Sequence, residues 1–320
     1  EGRGRYETRD GARYEGAWLE GRRWGRGVQA LGPGLRAALG YSSYEGEWRD
    51  DLRHGRGSLV FGESGELLYE GAFERDLRHG RAAIFWIGAT HAWGQGAGKP
   101  PQHPCSLDGH GRILVFNGLF LDDAPSSTPD EPAWLHLVLP GETRGQFYLG
   151  QVGDRGQREG LGTLYHEDAD QDEAFMRCFE AGVPFTQEGE VDSGAPRHVL
   201  YHGQFRENVP HGEGVQYFHG IGTFLGQFWG GRRHGRGVWT SADGLWKYRP
   251  IDAASVTNWE RDLMHGIAVV EDRERVHENV IFTRGRCQMP LAEAGPPLTS
   301  ASGADVLGGA RGGVPGAPPR

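Results

Sequence analysis

Five times along this chain an aromatic residue is followed two positions later by Gly and two later again by Trp or Phe. The copies are YEGAW from Tyr14, YEGEW from Tyr44, YEGAF from Tyr69, YHGQF from Tyr201 and FLGQF from Phe224. A further Gly lies seven residues beyond the second aromatic, preceded by His in four copies and by Trp24 in the first. A chain that repeats a unit this short folds as a row of like supersecondary units, each stacking on its neighbours. It does not build one thick core.

The unit reads as a β-hairpin. Tyr44, Gly46 and Trp48 alternate with Glu45 and Glu47, which is the period of a strand with one aromatic and one charged face. The polar run RDDLRHG then reads as the connection, and Gly57, Leu59 and Phe61 alternate with Ser58 and Val60 as the return strand. A lone hairpin is only marginally stable, so successive hairpins are expected to pair edge to edge. Gly46, Gly71, Gly203 and Gly226 each stand between two large rings on one face, where a side chain would take the space the rings need. Gly57, Gly214 and Gly237 are expected to do the same on the return strands, with Ala82 as a small substitute.

Weaker copies start at Phe116, at Tyr148 with Val152 for the second aromatic, and at Phe175 with Arg177 for the Gly. Another surrounds Trp259 and keeps His265 and Gly266 but not the leading Tyr. The resulting layout is a flank 1–13, repeats 14–93, a Gly/Pro-rich insertion 94–115, degenerate acidic repeats 116–195, repeats 196–289 and a disordered Gly/Ala/Pro-rich tail 290–320. Any regular helix is expected in the insertions.

These residues resemble the MORN repeat: Y-x-G-x-W/F, a polar turn, then H-G-x-G, over roughly Tyr14–Arg286. The resemblance implies an all-β fold, an elongated, twisted single-layer antiparallel sheet of stacked hairpins. It also implies a non-catalytic scaffold, membrane-tethering or cytoskeletal adaptor role. In this family the repeats are often joined to an enzyme such as a lipid kinase or a lysine methyltransferase, which leaves a regulatory region of a larger enzyme as one alternative.

Composition agrees with an unusual core. Gly makes up 54 of 320 residues, aromatics 11 %, and the mean hydropathy is −0.58. No apolar run is long enough for a membrane helix, and the N-terminus has no apolar signal region. Cys105, Cys178 and Cys287 stand far apart, which suits a reducing compartment and forms no zinc pair. The location read from this is cytoplasmic, with cytoskeletal or membrane association. Net charge is +1 over 1–100, −11 over 101–200 and +1 over 201–320, so no broad basic field invites nucleic acid.

The search for chemistry returns no catalytic site, no metal and no cofactor. His54, His79, His211, His234 and His265 recur one per unit, about 9–10 Å apart across two strand spacings, too far to share a zinc. They read as imidazoles that close the turn and bond the return strand. His91, His103, Cys105 and His110 match no zinc pattern, and the acidic run at 167–173 has no calcium-loop spacing.

The leading expectation is a protein partner bound on an aromatic groove. Its anchors are Tyr14, Trp18, Tyr44, Trp48, Tyr69, Phe73, Tyr201, Phe205, Phe224 and Phe228, although the same rings also serve to fill a core. The alternative is an anionic phospholipid surface met by Arg22, Arg23, Arg53, Arg78, Arg232 and Arg233 near the turns, joined by Arg26, Arg56, Arg81 and Arg236. Open strand edges also invite a homodimer.

Overall fold

The computed structural model describes residues 2–61, 67–87, 112–138, 145–185, 198–251 and 258–287. They form two compact units. The first runs to Gln157 and takes in Glu167–Phe185; the second holds Arg158–His166 and 198–287. Most of the insertion 94–115, with His91, His103, Cys105 and His110, lies outside the described residues, as does the tail 290–320.

The first unit is an antiparallel sheet. Its strands are β1 (Gly2–Glu7), β2 (Arg13–Leu19), β3 (Arg22–Ala30), β4 (Tyr41–Arg49), β5 (Leu52–Phe61), β6 (Leu67–Glu74), β7 (Leu77–Trp86), β8 (Ile113–Leu121), β9 (Ala124–Ser126), β10 (Ala133–Val138) and β11 (Gly145–Val152). They pair in sequence order, except that β10 passes the short β9 and joins β8.

The second unit repeats the plan. Its strands are β12 (Arg158–Tyr165), β13 (Val199–Arg206), β14 (Val209–Phe218), β15 (Gly222–Trp229), β16 (Arg232–Ser241), β17 (Lys247–Pro250), β18 (Trp259–Glu260), β19 (Leu263–Met264), β20 (Gly266–Glu271), β21 (Val276–Thr283) and β22 (Arg286–Cys287). β12 to β17 pair in order, β17 joins β20, and β18 with β19 makes a small hairpin on β16. The expected all-β architecture of antiparallel hairpins is what each unit shows.

The connections are tighter than the sequence suggested. RDDLRHG is not a loop: only Asp50 and Asp51 turn, with φ of 52° and 68°, and Leu52 to Gly55 already belong to β5. The same left-handed pair recurs at Arg75–Asp76, Glu207–Asn208 and Arg261–Asp262. Two left-handed residues match the right-handed twist of the flanking strands. The displaced register is absorbed by a bulge after the first Gly, between Gly46 and Glu47 in this copy. On the return strand Gly55 takes a φ of 59°, and a Cβ there would meet the Glu47 Oε2 at 2.5 Å. That explains the Gly that follows each repeat histidine.

Among the described residues, two α-helices lie in the first unit. α1 (Pro33–Leu39) fills the longer interval between the first two copies, as expected of an insertion. α2 (Glu173–Ala181) corrects the sequence reading, because it takes the stretch from Phe175 that looked like a degraded hairpin. The aromatic spacing of FMRCF imitates the repeat, but Phe175, Met176 and Phe179 are buried together on one helical face. Asp172 starts the helix by accepting the N–H groups of Ala174 and Phe175, and Gly182 ends it with φ 68°. Cys178 on α2 is a free thiol.

Candidate interaction surface

One face of each sheet carries a ladder of rings. Each leading Tyr or Phe stands edge-on to the ring four residues ahead and to its equivalent in the next hairpin. Tyr44 lies 5.1 Å from Trp48 and 5.0 Å from Phe73; Tyr69 lies 5.1 Å from Phe73 and 5.3 Å from Phe120. Tyr201, Phe205, Phe224 and Phe228 repeat this in the second unit, with Phe224 5.0 Å from Trp259. The leading Tyr missing from the Trp259 copy is supplied by Tyr248, whose ring is 5.4 Å from Trp259.

The tyrosine hydroxyl has its own place. Tyr14, Tyr44, Tyr69, Tyr148 and Tyr201 each donate to the carbonyl three residues on, at 2.7–3.0 Å. The bulge frees that carbonyl from the ladder. Burial pushes the Tyr44, Tyr69 and Tyr201 hydroxyls well above the ordinary tyrosine range. Tyr44→Phe is therefore expected to cost about 1–2 kcal/mol, because the Glu47 carbonyl loses its donor. Phe224 already serves at the equivalent position, so the fold should survive. Equal urea midpoints for the two proteins would show that the hydroxyl contributes nothing.

The ladder is core. Tyr14, Tyr44, Trp48, Tyr69, Phe73, Tyr201, Phe205, Phe224 and Phe228 are 0–3 % exposed. Only Trp18 is partly open. The sequence reading allowed both a groove and a core, and the structure places all of these rings except Trp18 in the core.

Four of the six arginines assigned to a membrane surface are likewise structural. The Arg23 guanidinium donates from Nε to Asp51 and from a terminal nitrogen to the Asp51 carbonyl, while its backbone N–H also bonds the Asp51 carboxylate. Arg53 does the same with Asp76, Arg78 with Asp123 and Arg233 with Asp262. Each guanidinium lies over a ring of the next hairpin: Arg23 is 4.1 Å from Trp48 and Arg78 is 4.9 Å from Phe120. These clamps tie one turn to the next. Burial works against ionisation of Asp51, but the Arg23 backbone N–H and guanidinium outweigh it and hold the carboxyl below its usual range. Burial lowers Arg233 against the pull of Asp262. Arg22 and Arg232 remain exposed.

The histidines differ from expectation. His79 and His265 do not bond the return strand; each turns Nδ1 towards a carboxylate at 3.6 Å, Asp122 and Glu260 respectively. His211 tilts over Trp229 at 4.6 Å.

The opposite face of the first unit has a different character. Gly4, Gly16, Gly27, Gly46, Gly57, Gly71 and Ala82 stand opposite one another across β1 to β7. Arg3, Arg26, Arg56 and Arg81 each precede that row by one residue on alternate strands, so they line up on one side of it. Glu15, Glu45 and Glu70 precede it on the intervening antiparallel strands and so line up on the other side. A groove of about 1580 Å³ runs between them and also takes in Arg5, Arg13, Val28 and Ser58. Arg3, Arg13, Arg26 and Arg56 have no side-chain partner among the described residues. The sequence reading put Arg26, Arg56 and Arg81 near the turns and missed this alignment.

Further along, the same face is covered by the protein's own helix. Asn117 faces Ala83 and Trp134 across β8, which puts it on the glutamate side of the sheet. It donates to the Phe179 and Glu180 carbonyls at the end of α2. Trp134 and Phe147 meet Phe175 and Phe179 edge-on at 5.0–5.6 Å, and the Trp134 indole donates to the Val183 carbonyl.

Rows of identical hairpins with buried ring ladders and bulge glycines define an open-sheet repeat protein. The MORN repeat model matches residues 14–36, 44–65, 69–82, 201–220 and 224–246, and the chain is a MORN repeat protein. A comparison with curated proteins finds no match. MORN repeats are a generally non-catalytic module, consistent with a scaffold or binding role.

Proposed function

We propose that this chain is a non-catalytic scaffold that holds a protein partner on the arginine-lined face of its first unit. The carrying observation is the groove over β1 to β7, where four arginines have no side-chain partner among the described residues while the rings opposite are sealed in the core. A row of cations on a sheet face supplies charge complementarity to a partner, which sets specificity and encounter rate. The glutamates beside them disfavour a uniformly anionic surface such as a lipid leaflet, and so does the engagement of Arg23, Arg53, Arg78 and Arg233 in clamps.

The test uses the full chain with a photo-crosslinker at Ser58 in the groove, beside the same chain carrying Arg26→Glu and Arg56→Glu. Both arginines are exposed, so the melting temperature should hold. Protein adducts formed at Ser58 and lost on charge reversal are the expected result. Adducts that survive the reversal unchanged would overturn the proposed face.

A further inference from the structure

We infer that the groove of the first unit receives an α-helix of the partner, laid across the strands, with carboxylates at every seventh position over the arginine row and basic residues beside them over the glutamate row. The inference rests on the proposed protein-binding role of this face and names what it recognises.

Three observations converge. The first is spacing. Arg3, Arg26, Arg56 and Arg81 occupy alternate strands, so neighbours in the row are two strand spacings apart, about 9.5 Å. Seven residues of helix rise about 10.5 Å. A helix crossing the strands thus returns the same face to the sheet at close to the period of the arginines, and the flexible guanidinium stems absorb the difference. An extended strand repeats its side chains every ~6.6 Å and falls out of step.

The second is the paired stripes. The glutamate row lies two residues from the arginine row along the strands, about 6.6 Å away. On a helix, residues three or four apart sit side by side on one face. Acidic residues at one heptad position and Lys or Arg three or four positions on therefore meet Arg26 and Arg56 on one side and Glu15 and Glu45 on the other. Glu47 stands in the arginine row opposite Arg26 and accepts the Arg56 backbone N–H at 3.1 Å, while Arg81 pairs with Glu131 at 3.3 Å and Glu70 with Arg112 at 2.9 Å, so the stripes offered to the ligand are Arg3, Arg26 and Arg56 against Glu15 and Glu45. A ligand of one sign satisfies only one stripe and is repelled by the other.

The third is precedent. The same face already carries a helix, α2, over β8, β10 and β11.

The experiment titrates the full chain with a three-heptad helical peptide that has Glu at one heptad position and Lys four residues on. It is compared with an isomer of the same composition whose charges follow a five-residue spacing, and with phosphatidylserine–phosphatidylcholine vesicles. The expected result is that the heptad peptide binds about tenfold or more tightly than the isomer. Arg26→Ala with Arg56→Ala should remove that preference while the melting temperature holds. No binding by either peptide would overturn the inference, and so would equal binding by both. If equal binding still requires Arg26 and Arg56, the helical spacing fails while the protein-binding face stands. Vesicle binding that depends on the same arginines, with no peptide binding, would overturn both and put an anionic leaflet on this face.

Discussion

Gly46→Val is expected to destabilise the first unit by about 2–4 kcal/mol, the scale of overpacking a site that cannot relax. Gly46 stands directly opposite Gly57, and the Tyr44 ring lies over the pair. A Cβ on Gly46 would come within 2.6 Å of both the Gly57 Cα and the Tyr44 Cζ, and closer still to the hydroxyl. One of those atoms is backbone held in the ladder. The other belongs to a ring fixed edge-on between Trp48 and Phe73 and bonded through its hydroxyl to the Glu47 carbonyl. Neither is the loose end of a side chain, so the clash is relieved only by breaking the hairpin register or expelling Tyr44. Gly46→Ala should show a smaller loss of the same sign. A urea melt in which Gly46→Val loses less than about 0.5 kcal/mol would show that the paired glycines are not there to let the ring close down.

How much of this was legible depends on the range over which the residues speak. Tyr44, Gly46 and Trp48 lie within five positions, so the strand period and the bare stripe can be read directly, and the hairpin sheet follows. The clamps cannot be read that way. Arg53 and Asp76 are 23 residues apart and Arg158 and Asn208 are 50 apart, because insertions of different length separate equivalent positions. Each arginine alone looks like one more charge near a turn, which is how Arg23, Arg53, Arg78 and Arg233 were drawn toward a membrane surface. The helix at Phe175 shows the converse failure. Its aromatic spacing fits a strand copy, and only burial against Trp134 and Phe147 selects the helical period. The arginine row was hidden for a third reason. A charged residue between two glycines reads as an ordinary solvated strand face until the register brings Arg3, Arg26, Arg56 and Arg81 into line.

Arg78→Met is expected to cost about 2–4 kcal/mol, and Asp123→Gly in the same chain to recover much of it. Arg78 is only 4 % exposed, its guanidinium lies over Phe120, and it donates to both the carboxylate and the carbonyl of Asp123. Removing one partner of such a pair strands the other, which is the larger part of the penalty. The chain itself shows how the joint can be made without charge. At every junction the second turn residue donates its backbone N–H to the residue at the arginine position of the preceding hairpin. Asp51 gives to Arg23, Asp76 to Arg53 and Asp123 to Arg78, whereas Gly231 gives to Pro210 and Gly285 to Met264. Where the arginine is absent the turn residue is Gly, which suits its left-handed φ of 82° or 77° and leaves no carboxylate in need of a cation. Met with Gly at 78 and 123 copies the Met264–Gly285 joint. The two substitutions should therefore couple by about 1–3 kcal/mol in a double-mutant cycle, in the favourable direction. Additive losses would mean that Arg78 contributes through packing on Phe120 alone and that the clamp to Asp123 is incidental.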